Sequence, residues 1–187
     1  PADKYPAQIE DVWAAIRFLR ANAGRWRLDP SRIAIMGASA GGHLALLAGY
    51  TPHGKEDAVQ AVIDVSGPTD LRNWRMQPKA EDNLRNATGK TTGTLLADFL
   101  GTSDRTAPVL REASPAAHVK PGLPATLIFQ WQDDQAVPAD QADALARALS
   151  KAGVRNELVW IPGRGHALNP SGVERIVRES LRFLRSL

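Results

Sequence analysis

The sequence predicts an α/β fold built on a mostly parallel sheet. Two observations carry that prediction. Short β-rich runs alternate with helical stretches, the rhythm of βαβ units. The runs end in small clusters of Gly, Ser and Pro, which are turn chemistry. At 187 residues the chain suits a single domain, long enough to bury roughly 70% of its unfolded surface.

The elements follow in order. Ile9 to Ala21 repeats Ile9, Val12, Trp13, Ile16 and Leu19 at helical spacing, and Gly24 reads as its stop. Asp29-Pro30-Ser31 is a turn, and Ile33 to Met36 is a short strand. Gly41 to Gly49, rich in Ala and Leu, is a helix. Val59 to Val65 is a second strand, ended by Ser66-Gly67-Pro68. Leu127 to Trp131 is a third, entered from Pro121-Gly122-Leu123-Pro124. Ala139 to Ala152 is a helix closed by Gly153. Glu157 to Ile161 is a fourth strand ended by Pro162-Gly163, and Val173 to Leu187 is a last amphipathic helix. Asp70 to Lys120 breaks the alternation. It carries Trp74, Met76, Leu95, Leu96, Phe99 and Leu100 among polar residues, and reads as a mostly helical, cap-like insertion over a site. There is no internal repeat and no low-complexity tract.

Composition removes several classes of function. Lys plus Arg is 23 against 20 for Asp plus Glu, and the basic residues are scattered, so no nucleic-acid footprint is visible. Apolar runs such as Leu44 to Ala48 are far too short to span a bilayer. With no cysteine, disulfides, zinc–thiolate sites and thiol nucleophiles are excluded. The opening Pro1-Ala2-Asp3-Lys4-Tyr5-Pro6 shows no charged-then-apolar signal segment. The compartment stays open, with the cytoplasm favoured.

Chemistry concentrates where the first strand stops. Gly37-Ala38-Ser39-Ala40-Gly41 fits G-x-S-x-G, with a strand before it and a helix after it. A serine on so sharp a turn needs small neighbours two residues away on either side. The turn lifts its hydroxyl above the strand ends, where the free N–H groups of the next helix point. A serine nucleophile needs a base. His43 lies inside the following helix, His53 sits in an exposed loop, and His118 precedes a strand. His166 follows the fourth strand in the loop Pro162-Gly163-Arg164-Gly165-His166, which can carry an imidazole over the serine, so His166 is the candidate base. The base needs an orienting carboxylate. Asp133 and Asp134, just after the third strand, both qualify, and either is also suited to the start of the next helix. The chain order is then Ser, Asp, His.

With these residues the chain resembles the α/β-hydrolase esterases of the hormone-sensitive-lipase-like group and the related feruloyl and acetyl-xylan esterase-like proteins. The resemblance runs from Tyr5-Pro6-Ala7-Gln8-Ile9-Glu10-Asp11 through Asp29-Pro30-Ser31-Arg32-Ile33 and Ser39-Ala40-Gly41-Gly42-His43-Leu44-Ala45. It continues in Ser66-Gly67-Pro68-Thr69-Asp70-Leu71, Ala113-Ser114-Pro115, Val137-Pro138 and Gly165-His166. It implies the α/β-hydrolase fold and a serine carboxylesterase acting on small ester molecules, without metal or organic cofactor. The family writes its acid segment H-G-x-x-D-x-x-V-P. Anchored on Val137-Pro138, this puts the acid at Asp134, with Gln130-Trp131 where His-Gly is usual. Ala40 N–H is the implied oxyanion donor.

The family's second oxyanion donor lies in an H-G-G-G-type loop upstream of the serine, and nothing like it precedes Ser39. The expectation is therefore a fragment of a longer product. If complete, the chain is expected to pair with a second copy along the Ile33 to Met36 edge, or to be marginally stable. Two other functions fit the same residues: an oligopeptidase-like hydrolase of amides, and a weakly active or inactive remnant lacking the upstream loop.

Overall fold

The computed structural model describes residues 3–166 and 169–187. Pro1 and Ala2, which open the sequence, lie outside the described residues, as do Ala167 and Leu168. Four parallel strands stand in the order β1 (Ala34–Ala38), β2 (Ala61–Val65), β3 (Ala125–Asp133) and β4 (Asn156–Arg164). The helices are α1 (Ala7–Ala21), α2 (Ala23–Trp26), α3 (Ala40–Tyr50), α4 (Pro78–Thr88), α5 (Thr92–Leu100), α6 (Pro108–Glu112), α7 (Ala139–Lys151) and α8 (Pro170–Arg185). A 3₁₀ turn spans Pro115–His118.

Strand side chains alternate between the two faces. Val62 and Ile128 meet Ile9, Trp13 and Ile16 of α1, Leu46, Leu47 and Tyr50 of α3, and Leu145 and Leu149 of α7. Ile63, Leu127, Phe129, Trp131 and Ile161 meet Ile176 and Phe183 of α8 on the other face. β2 is buried at all five positions, as a strand covered on both faces must be. Each large apolar side chain buried here contributes about 1.5–3 kcal/mol. The insertion has its own small core of Leu71, Trp74, Leu96, Leu100 and Leu110. α4, α5 and α6 lie within it.

Two boundaries differ from the sequence reading. Gly24 does not stop the first helix. Asn22 ends α1, and Gly24 lies inside the short α2, which closes at Arg27 in the left-handed region (φ 53). β4 does not end at Pro162-Gly163 but runs on to Arg164. Proline is tolerated because β4 borders the described sheet, where one row of its backbone groups has no ladder to complete. β1 borders the other side, and its Met36 is half exposed. No helix among the described residues is long and apolar enough to cross a membrane.

Candidate active site

The loops that leave the carboxyl ends of β1, β3 and β4 meet at one point. The first is the turn from β1 into α3. Ser39 takes φ 54 and ψ −121, a backbone conformation that costs a non-glycine residue free energy. Three contacts hold it there. Ser39 N donates to Val65 O (2.8 Å) on β2, His43 N donates to Ser39 O (3.0 Å), and Gly37 lies flat against the first turn of α3. A side chain at Gly37 would collide with the main chain of Gly41. Gly41 itself has no neighbour that an added Cβ would meet within 4 Å. The expectation that both outer glycines must be small is thus corrected. Gly37 is sterically required, and Gly41 is not. A side chain at Gly42 or Gly67 would collide with the Asp64 carboxyl.

The second loop follows β3. The β3–β4 ladder shifts register between Trp131 and Asp133, with the extra residue on β4. Asp133 stays exposed on the ladder, paired with Arg164, while Asp134 turns inward and is buried. Neither caps the following helix, whose N-cap is Pro138. The Asp134 carboxylate accepts three hydrogen bonds. Oδ1 takes Ala136 N and Val137 N (2.9 Å each), and Oδ2 takes His166 Nδ1 (2.8 Å). Those donors compensate a carboxylate with no exposed side-chain surface.

The third loop follows β4, and Gly163 (φ 109) near the strand's end and Gly165 (φ 100) just past it take the left-handed conformation that glycine allows. It brings His166 over Ser39, with Nε2 2.6 Å from Ser39 Oγ. A carboxylate can only accept, so Nδ1 carries the proton. Nε2 then presents its lone pair to the Ser39 hydroxyl. A hydroxyl donating to an imidazole that is itself held by a buried carboxylate is the arrangement of nucleophilic catalysis. The Ala40 N–H, at the first residue of α3, has no partner within the helix, and Ala40 lines the cavity beside Ser39.

Ser39 and His166 open onto a cavity of about 340 Å³. Its walls are Leu71, Trp74, Met76, Leu95, Leu96 and Phe99 of the insertion, with His43 and Gln8 among the remaining residues. A larger open groove of about 1420 Å³ lies at the amino ends of the strands, beside Ala34, Ala61 and Ala125, remote from this chemistry.

The other histidines have structural places. His43 is buried, donates Nδ1–H to Pro68 O (2.8 Å) and meets Phe99 edge-on. Desolvation draws its pKa down to about 4, so it stays neutral. His53 packs tilted against Trp13, and His118 bonds Glu112 O (2.7 Å). Sequence reasoning missed Asp64. It is buried on β2 beside Gly37, accepts from Gly67 N (2.9 Å), and its pKa is pushed well up by desolvation. The signal was an acidic residue inside an otherwise apolar strand. Gln130, singled out in the sequence only as a replacement in the acid segment, donates its Nε2–H to Val137 O (2.9 Å) from beneath the acid loop. Trp131, next to it, points to the opposite face and packs against α8.

Known proteins share this geometry's framework. The family model described as BD-FAE matches residues 1–149. Esterase LipC of Mycobacterium tuberculosis is 30% identical over 187 aligned residues, covering 90% of this chain and 43% of that protein. A truncated carbohydrate esterase from gut microbiota superposes with a TM-score of 0.79 at 26% identity, covering 98% of this chain and 70% of the other. A butyrate-bound thermophilic esterase of Thermogutta terrifontis does so with a TM-score of 0.75 at 26% identity, covering 99% and 67%. The chain spans less than half the length of the curated relatives it matches first.

Proposed function

The chain belongs to the BD-FAE family of α/β-hydrolase esterases, and from that premise we propose that it hydrolyses short-chain carboxylic esters through an acyl-enzyme on Ser39. One observation carries the reading: Ser39 Oγ and Asp134 Oδ2 occupy the two nitrogens of one imidazole, His166. Ser39 attacks the acyl carbon while His166 Nε2 takes its proton. The oxyanion accepts from the Ala40 N–H at the positive end of α3. His166 then protonates the departing alcohol, and water, activated by the same nitrogen, releases the acid. Asp134 keeps the imidazole in the tautomer this requires. Every step is proton transfer and acyl transfer, carried by this chain's own residues.

The 340 Å³ cavity supports a small apolar acyl or alcohol group. In this reading the chain is one domain, and residues 70–120 are its cap-like segment, supplying the large apolar side chains of the cavity wall from Leu71 to Phe99. Relatives named as esterases support ester over amide hydrolysis. Self-association along β1 finds no support in those relatives and is not carried forward.

The test is a burst-and-turnover assay on short-chain p-nitrophenyl esters, with Ser39→Ala alongside. The expected outcome is turnover that the substitution abolishes. Equal rates for both proteins would refute the assignment of Ser39. Cleavage of aminoacyl amides in preference to esters would replace the ester reading with the peptidase one.

A further inference from the structure

The loop that carries Asp134 is gripped from outside at three consecutive carbonyls. Gln77 N donates to Gln135 O (2.8 Å), Trp74 Nε1 to Ala136 O (2.8 Å) and Gln130 Nε2 to Val137 O (2.9 Å). The first two donors come from the insertion and the third from β3. A peptide unit is planar, with its C=O and the next residue's N–H pointing opposite ways. Holding Gln135 O therefore aims Ala136 N–H, and holding Ala136 O aims Val137 N–H. Both N–H groups end on Asp134 Oδ1, at 2.9 Å. A continuous relay thus runs from the Trp74 indole N–H, through one rigid peptide unit, to the carboxylate that orients His166.

The same indole is a wall of the cavity beside Ser39 and is only 8% exposed. We infer that Trp74 is a positioning residue for Asp134 as well as a specificity wall, so that the apolar group of the substrate and the carboxylate behind the general base lean on one side chain. The kinetic part of this rests on the ester-hydrolase reading. Its consequence is specific: an acyl or alcohol group that packs on Trp74 raises kcat, not only affinity. A wall residue that lacks this link, such as Met76, acts on KM alone.

The test separates the indole's outline from its N–H. Trp74 is replaced site-specifically by 3-benzothienylalanine, which keeps the bicyclic shape but has sulfur in place of N–H. Trp74→Phe is made in parallel, and Met76→Ala serves as the wall-only comparison. Two readouts are taken: kcat and KM on p-nitrophenyl acetate and butyrate, and the low-field proton resonance of the His166–Asp134 hydrogen bond. Leaving the buried Ala136 carbonyl unpaired is expected to lower kcat about tenfold in the benzothienyl variant, with KM within about twofold. Its low-field resonance is expected to move or broaden. Met76→Ala is expected to raise KM for butyrate and leave the resonance in place. Unchanged kcat and resonance in the benzothienyl variant overturn the inference while Ser39-dependent hydrolysis stands. Absence of ester turnover in the parent, with a resonance that still depends on the indole N–H, overturns the ester reading and keeps the positioning role. If Trp74→Phe fails to fold, the near-isosteric variant decides.

Discussion

A methyl group added at Gly37 would lie 2.1 Å from Gly41 O, 2.2 Å from Gly41 C and 2.8 Å from Gly42 N. All three are main-chain atoms of the first turn of α3, so no side chain can swing aside. Carbon contacts settle at about 3.5–4.0 Å, and α3 must retreat by more than about 1 Å to make room. Ser39 and Ala40 move with it. A displacement of about 1 Å at reacting groups costs on the order of 10²-fold in rate. Overpacking against atoms that cannot repack costs about 3 kcal/mol, the upper end of the usual range. For a chain of this size that is a fall in Tm of about 6–12 °C. Gly41→Ala is the internal control. Its added Cβ meets nothing, and alanine in a helix is up to about 1 kcal/mol better than glycine. Thermal melts and p-nitrophenyl acetate turnover on both variants read the contrast. Gly37→Ala with the parent's Tm and turnover would refute the reasoning, as would Gly41→Ala failing as badly as Gly37→Ala.

Two other substitutions extend the tests of Ser39 and Trp74. Asp134→Asn keeps the acceptor for Ala136 N and Val137 N but loses the orienting charge. It is expected to lower kcat by about 10⁴ with an unchanged melting curve, and a loss under tenfold would remove Asp134 from the mechanism. The second concerns two buried groups with opposite pH dependence. His43 titrates at about 4 when folded against 6.5 ordinarily, so the unfolded chain binds the extra proton and stability falls as pH drops through that window. Asp64 is raised, so the folded chain binds the extra proton and its contribution falls as pH rises above 3.8. Asp64→Asn removes the second slope and leaves the first. Stability of that variant from urea unfolding between about pH 4.5 and 6 should rise by about 1 kcal/mol per unit. A flat line would mean that His43 is not held neutral.

Much of this protein is legible from its sequence because local chemistry writes it there. Apolar spacing marks α1, α7 and α8, and short, mostly apolar runs mark β2 and β3. A small-residue turn between strand and helix marks Ser39, and a glycine-flanked histidine after the last strand marks His166. Those signals depend on backbone preference and hydrophobic period, which are properties of neighbouring residues. They give the chain order serine, aspartate, histidine, and they put each just past the carboxyl end of a strand.

What they cannot rank is a choice between neighbours of equal propensity. Asp133 and Asp134 are alike in sequence, and motif alignment alone favoured one. The end of β3 physically separates them: Asp133 is its last residue and stays exposed on the ladder, while Asp134, the next residue, turns inward and is buried. Gly37 and Gly41 are equal letters of one motif, yet only Gly37 touches another backbone. The Trp74 indole reaches Ala136 across 62 residues, and His166 reaches Ser39 across 127. Contacts of that range are set when helices and loops pack to fill space, and their partners are decided by tertiary geometry rather than by any local pattern.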